Sequence, residues 1–182
     1  MTIEILNIGQ LETFLSKYLC DGLSRAFPGE SCRTVVKKNF PLKKSYDEKR
    51  RQYSSGTILL LIQALSSRTK LVNRYLGVVD VDLFAPGLNF VFGEAAFPGK
   101  VALISSLRLR PEFYSQPPDL SVFYERCLKE AVHEIGHTFG LRHCPRATCV
   151  MHFSNSISDT DRKRTLLCDK CSSQLVSKTY VN

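Results

Sequence analysis

The stretch HEIGHTFGLRHCPRATCVM, residues 133–151, contains three of the chain's four histidines and two of its seven cysteines. Apolar residues recur at helical spacing through its first part and the residues before it, as a stripe of Leu128, Val132, Ile135 and Phe139. This periodicity predicts a long helix over 120–139 with Asp119 as its N-cap. The histidine-rich stretch therefore begins on a helix and continues beyond its end.

His133 and His137 are about one helical turn apart, so their imidazoles share a face roughly opposite the apolar stripe. Two imidazoles in this arrangement can bind one metal ion. Glu134 projects beside them, within reach of a water molecule on that ion. The pattern H-E-x-x-H is typical of zinc hydrolases, and the alternative is that these are ordinary core or surface histidines.

A third histidine, His143, tests this interpretation. If the helix continued, His143 would lie about 9 Å along the axis from His137, too far away to share a metal ion. The chain must therefore turn between them, and Gly140 can adopt the positive φ that ends a helix. With this chain's composition, the complete spacing would arise by chance about five times in a million. We therefore interpret the three histidines as ligands of a catalytic zinc ion.

Two short cysteine pairs, Cys144-x4-Cys149 and Cys168-x2-Cys171, have the spacing of a tetrahedral zinc site with four thiolates. Such a site would stabilise a C-terminal segment that has little apolar sequence of its own, and it would hold the neighbouring His143 in place. The alternatives are two redox-active dithiols or unpaired buried thiols. The remaining cysteines are expected to be small, buried hydrophobic residues: Cys20, Cys32 and Cys127.

The segment HEIGHTFGLRH, residues 133–143, resembles the extended motif of the metzincin metallopeptidases. Its continuation, HCPRATCVM…CDKC, which ends at residue 171, resembles the archaemetzincin family. The resemblance implies a catalytic zinc on the three histidines, Glu134 as the general base and a second zinc on the four cysteines. It also implies that Met151 is the methionine of the Met-turn, which lies below the catalytic metal.

The two residues that follow Met151, His152 and Phe153, need a separate interpretation. Some metzincins carry a tyrosine two residues after this methionine as a switchable zinc ligand, and this chain has Phe153 there. A mechanism that needs the tyrosine hydroxyl is therefore not available to this chain. His152, the fourth histidine, is expected to be a packed loop residue rather than a hydrogen-bonding group near the cleft.

The rest of the chain alternates strand and helix patterns, with Pro/Gly turns between the later strands. We predict strands over 2–8, 33–40, 75–84, 89–97 and 100–109, and helices over 11–27, 57–65, 120–139 and 166–178. The apolar run at 57–65 fits a strand as well, but its length favours a helix. The expected fold is α/β (α+β) and metzincin-like: a mixed twisted sheet with helices, and an active-site helix that ends at a glycine turn.

Residues 1–182 are predicted to form a single catalytic domain. Within it, residues 1–140 would be an upper, N-terminal subdomain with the sheet and the active-site helix. Residues 141–182 would be a small lower subdomain, held together by the four-cysteine zinc site and containing the Met-turn. Two zinc ions per chain are therefore expected.

Composition excludes several classes of protein. An apolar share of 43% and a charged share of 23% are those of a globular protein, and no apolar run is long enough to span a membrane. The net charge of +8 comes from short, scattered basic clusters without interleaved aromatic residues, so nucleic-acid binding is not expected. Because no secretory signal is recognisable, we expect a cytoplasmic protein, and we expect a monomer.

The combined pattern predicts a zinc metallopeptidase that hydrolyses peptide bonds in a peptide or protein substrate, as an endopeptidase or an aminopeptidase. The alternative is a metal-stabilised peptide-binding protein with little turnover. The presence of Glu134 favours the enzyme hypothesis over the binding-protein hypothesis, because a purely structural zinc site needs no adjacent base. Substrate is expected to lie along a strand at 89–95 by backbone pairing. Within that strand, Glu94 either binds a substrate amine or is simply exposed.

Overall fold

A computed structural model describes residues 2–9, 12–66 and 74–179. Its strands, in chain order, are β1 Thr2–Asn7, β2 Ser31–Val36, β3 Tyr46–Asp47, β4 Gln52–Ser54, β5 Arg74–Val79, β6 Leu83–Phe84, β7 Gly93–Ala95 and β8 Val101–Ser105. Its α-helices are α1 Thr13–Ala26, α2 Ser55–Ser66, α3 Leu120–Thr138, α4 Ile157–Arg162 and α5 Asp169–Thr179. Short 3-10 helices span Leu42–Ser45, Leu107–Leu109 and Pro111–Tyr114.

The main sheet has five strands in the order β2-β1-β5-β8-β7. The first four are mutually parallel, and β7 pairs antiparallel with β8 at the edge. The central strands β1, β5 and β8 are almost entirely buried, because a sheet with helices on both faces leaves them no contact with water. A small second sheet, β3-β4-β6, lies beside it.

Helices cover both faces of the main sheet. Helices α1 and α3 share a core with one face of the strands, and this core contains Leu19 and Leu23 of α1 and Val132 of α3. Helix α2 packs on the opposite face through Ile58 and Ile62. Because β7 is an edge strand and contacts α3, the start of β7 lies directly beside the histidine-bearing helix.

Most of the predicted elements are confirmed, including the helix at 57–65 and the long helix α3. Asp119 is its N-cap, because its carboxylate accepts a hydrogen bond from the Val122 amide at 3.0 Å. The strand predicted at 89–97 is reduced to Gly93–Ala95, and the one at 100–109 ends at Ser105. Helix α4 was not predicted, because its six residues are too few to show an apolar period. Residue 11, the first residue of the helix predicted at 11–27, lies outside the described residues.

The expectation that Cys20 and Cys32 are separate buried residues is wrong. Their sulfur atoms form a disulfide that joins α1 to β2, with the two Cα atoms 5.2 Å apart. The turn between these elements brings side chains twelve positions apart into contact, which cysteine spacing alone does not reveal. Cys127 is a fully buried free thiol, as predicted. Among the described residues, no helix is both long and apolar enough to cross a membrane.

Candidate metal centres and active-site cleft

Helix α3 ends in a left-handed turn that redirects the chain. Gly140 has a φ of 81°, a conformation that glycine adopts at little cost. The amide of Gly140 donates to the carbonyl of His137 at 2.8 Å, and the amide of Leu141 donates to the carbonyl of Gly136 at 3.1 Å. These two bonds form a Schellman motif. The predicted turn is confirmed, and it returns the chain so that His143 approaches the helix.

The imidazoles of His133, His137 and His143 converge. One ring nitrogen from each lies within 4.8 Å of the other two. The Nε2 atoms of His133 and His137 are 3.1 Å apart. Two nitrogens held tetrahedrally by one zinc ion at 2.0–2.1 Å would be about 3.3 Å apart. The positions of these rings therefore fit a single zinc ion.

Backbone carbonyls set the tautomers of the two helical histidines. His133 Nδ1–H donates to the Val150 carbonyl at 2.8 Å, and His137 Nδ1–H donates to the Leu141 carbonyl at 2.7 Å. Because a carbonyl can only accept, the proton is on Nδ1 and the lone pair on Nε2 is left for a metal. Burial lowers the pKa of His137 and lowers that of His133 further, so both rings are kept in the neutral form that binds zinc.

Glu134 is buried next to this cluster, and burial together with the nearby charge of Glu130 raises its pKa well above the ordinary value. Gly93 of β7 leaves space for it. An alanine at this position would put its Cβ 2.7 Å from Glu134 Cγ and 2.6 Å from the Leu103 carbonyl oxygen. Sequence reasoning missed Gly93, although a glycine inside a predicted strand is a signal of close approach.

Met151 is fully buried beneath the histidine-bearing part of α3. An alanine in place of Gly136 would put its Cβ 2.5 Å from Met151 Sδ, so the helix packs directly on the methionine. The carbonyl of Met151 accepts a hydrogen bond from the Cys144 amide at 2.9 Å. Met151 thus contacts the helix that carries His133 and His137, and its backbone is bonded to the first cysteine of the C-terminal pairs.

The four C-terminal cysteines form a second cluster. Their sulfur atoms all lie within 4.8 Å of one another, and all four are free thiols. The distance from Cys144 Sγ to Cys168 Sγ is 3.9 Å, and that from Cys149 Sγ to Cys171 Sγ is 3.8 Å. Thiolates bound tetrahedrally to zinc at 2.3 Å would be about 3.8 Å apart. The spacing fits a zinc ion and argues against two redox dithiols.

The protonation of this cluster also suits a metal. Burial alone would raise the pKa of Cys168, but hydrogen bonds from the backbone and side chains of the neighbouring cysteines lower it to about 7. Burial raises the pKa of Cys149. A bound metal ion replaces the thiol protons, so one low-pKa thiol provides a first ligand at neutral pH.

His152 lies outside the histidine cluster. Its Nδ1–H donates to the carbonyl of Cys144 at 2.8 Å, which holds together the loop that follows Met151. Phe153 has its ring centroid 5.0 Å from that of His143. The position at which some metzincins have a tyrosine thus lies next to the histidine cluster but offers no hydroxyl.

A cleft with a cavity of about 780 Å³ runs along the histidine cluster. Its lining includes Phe90 and Phe92, which precede β7, and the segment 153–155, which follows Met151. Glu94 also lines this cavity; it is half-buried and accepts a hydrogen bond from the Ser55 hydroxyl. Simple exposure, one of the two readings of Glu94, is therefore wrong. The cavity size is that of a site for an extended ligand rather than for a single small ion.

Comparisons with known proteins agree with this geometry. The profile of Peptidase family M54 matches residues 44–177. The archaemetzincin of Pyrococcus abyssi is 41% identical over 98% of both chains, and that of Methanocaldococcus jannaschii is 43% identical over 96% of this chain and 93% of its own. The crystal structure of archaemetzincin from Methanopyrus kandleri superposes with a TM-score of 0.85 at 34% identity, and covers 98% of this chain and 95% of its own. A zinc-dependent peptidase from Methanocorpusculum labreanum superposes with a TM-score of 0.86 at 31% identity, over 95% and 99%.

The fold, the histidine and cysteine clusters and the relatives together identify a zinc metallopeptidase, which is a hydrolase that acts on peptide bonds. Within this class, the chain belongs to Peptidase family M54, the archaemetzincins.

Proposed function

We infer that His133, His137 and His143 hold the catalytic zinc ion, and that Cys144, Cys149, Cys168 and Cys171 hold a second, structural one. The observation that carries this inference is the convergence of three imidazoles, two of them with Nε2 left free, beside a buried carboxylate in a cleft. Met151 supports the first site from below. The chain is a monomeric peptidase with two zinc ions, and it acts on a peptide or protein rather than on a nucleic acid.

The zinc ion, Glu134 and Phe153 have different roles in catalysis. Zinc, when bound, supplies the Lewis acidity that lowers the pKa of a water molecule and polarises the carbonyl of the scissile bond. Glu134 accepts the proton of the attacking water on its carboxylate and then delivers it to the amine that leaves. The burial of Glu134 makes its carboxylate a stronger base than an exposed glutamate. Phe153 excludes water on the His143 side without contributing a hydroxyl.

The substrate lies extended along β7, whose outer edge pairs with no strand among the described residues. Residues 1–140 form the upper wall of the cleft and residues 141–182 the lower wall, as two subdomains of one catalytic domain. Glu94, which is half-buried on the upper wall, is placed to bind a substrate amine. An amine bound there would favour aminopeptidase action over endopeptidase action.

Metal counting combined with peptide hydrolysis tests this function. The parent protein should contain two zinc ions per chain and cleave members of a peptide library. His143→Ala should keep the cysteine-bound zinc, lose the other and lose hydrolysis, because two imidazoles hold zinc more weakly than three. A parent that binds both ions and peptides but cleaves none would instead support the alternative, a metal-stabilised peptide-binding protein. Hydrolysis that persists without the histidine-bound zinc would contradict the proposal.

Gly93→Ala should lower kcat by about 10- to 100-fold with both zinc ions retained, because the new Cβ displaces the Glu134 carboxylate from its position. The new Cβ would also clash with the Leu103 carbonyl oxygen, which is part of the backbone, so the clash cannot be relieved by a side-chain rotation alone. Steady-state kinetics and zinc analysis on the same sample provide the measurement. The control is Gly56→Ala, a helical position with open space around it. Equal kcat values for the parent and Gly93→Ala would show that Glu134 does not depend on this glycine.

A further inference from the structure

Glu130 is a second carboxylate on the cleft side of α3, and the mechanism above does not use it. It lies four residues before Glu134, so the two side chains share a helix face. Glu130 lines the same cavity as the histidine cluster, although only 3% of it is exposed. A buried charge in a binding cleft is costly unless it has specific partners. Its partners therefore indicate its role.

One oxygen of this carboxylate is fully engaged. Glu130 Oε1 accepts hydrogen bonds from Lys163 Nζ and from the Thr160 hydroxyl, both at 2.9 Å. Both donors come from the segment that includes α4, and both are buried. The ion pair therefore anchors Glu130 to the lower wall of the cleft through Oε1.

The other oxygen is left for a ligand. Within residues 2–9, 12–66 and 74–179, no donor reaches Glu130 Oε2 within hydrogen-bond distance. Because Glu130 Oε2 is not one of the fully buried atoms that lack a partner, it retains some accessible surface, and Glu130 lines the cleft. The cavity as a whole is largely apolar, with Phe90, Phe92 and Phe153 among its lining residues and Glu94 and Glu134 as its other carboxylates. A carboxylate oxygen that stays accessible in a mainly apolar cavity discriminates between ligands by whether they can donate a hydrogen bond to it.

We propose that Glu130 Oε2 forms the polar end of a substrate subsite beside the scissile bond, and that it selects a side chain ending in a hydrogen-bond donor. Lysine fits this subsite best: its alkyl stem packs on the aromatic walls and its ammonium group meets the carboxylate. Lys163 does not fill the subsite, because it is held at Oε1. This proposal rests on the proposed peptidase function, since it needs a peptide in the cleft.

Three peptides that differ only at a residue flanking the cleaved bond test the subsite. The flanking residue is lysine, methionine or glutamate, and it is placed in turn on either side of the bond. For the zinc-loaded parent, kcat/KM on one side should be about tenfold or more higher for lysine than for methionine, and lowest for glutamate. Calorimetric binding of the same peptides to zinc-loaded Glu134→Gln should give the same order without turnover.

Glu130→Gln provides a sharper test, because Lys163 and Thr160 both donate at Oε1. They force the amide oxygen into that position, so the NH2 group takes the place of Oε2 and the cleft-facing acceptor becomes a donor. The variant should lose the lysine preference and accept glutamate at least as well as methionine. The matched control is Glu125→Gln, whose side chain on the same helix is 49% exposed and is paired with the buried Lys129 outside the cleft.

The outcomes separate the two proposals. Lysine preference in binding without hydrolysis of any peptide would overturn the enzymatic function but support the subsite. Hydrolysis with no lysine preference on either side would overturn the subsite and leave the peptidase intact. The subsite proposal would also be overturned if a folded Glu130→Gln variant ranked the three peptides in the same order as the parent. If thermal melting shows that this variant is unfolded, the ranking by the parent decides the question.

Discussion

Replacing Glu134 with glutamine should lower kcat by about 10²–10⁴-fold, which is the range that a positioned general base contributes. Glutamine has the same shape as glutamate and keeps the contact with Gly93, but its amide cannot accept a proton from water. Neither imidazole tautomer depends on Glu134, because His133 and His137 are held by backbone carbonyls. The zinc content should therefore stay at the parent value, and the loss should be confined to turnover.

Kinetics and metal analysis on a single preparation provide this measurement. Substrate affinity should change little, so the defect should be in kcat rather than in KM. Glu125→Gln, an exposed position on the same helix, should hydrolyse at the parent rate. If Glu134→Gln cleaves peptides as fast as the parent does, Glu134 is not the base. If the loss of turnover comes with a loss of zinc, its main role is to support the metal.

The histidine cluster could be predicted because its geometry is local. Helical periodicity fixes the relative direction of His133 and His137, and a glycine with positive φ is an inexpensive way to end the helix. The structure shows both features, and the turn at Gly140 brings His143 close to His133 and His137. The cysteine cluster was predictable for a different reason, since metal ligands come in short pairs whose spacing is visible in the sequence.

The contacts that sequence reasoning missed all join distant segments. Gly93 matters only because the pairing of β7 with β8 places it against Glu134 of α3. Lys163 follows a short helix that shows no pattern, and its partner is more than thirty positions away. The disulfide between Cys20 and Cys32 depends on how α1 packs against β2. Packing of this kind is set by the whole fold rather than by any local signal, so one sequence does not specify it.

Cys171→Ser should have the largest effect on the structure. The segment after Gly140 buries few apolar side chains of its own, among them Leu141, Val150 and Met151. A structural zinc site contributes on the order of 10 kcal/mol in small zinc-dependent domains, which is similar to the whole stability of an ordinary domain. Without the fourth thiolate, we expect this segment to unfold from the rest. The protein should become sensitive to proteolysis after residue 140 and melt at a lower temperature.

The decisive measurement is the zinc content, because the two clusters share a backbone. Cys144 directly follows His143, and the Met151 carbonyl holds the Cys144 amide. If the cysteine-bound zinc positions this loop, Cys171→Ser should lose both zinc ions rather than one, together with hydrolysis. Cys127→Ala, which removes a fully buried thiol from α3 outside the cluster, should keep both ions. A Cys171→Ser protein that retained the histidine-bound zinc and its turnover would show that His143 is held by the Gly140 turn alone.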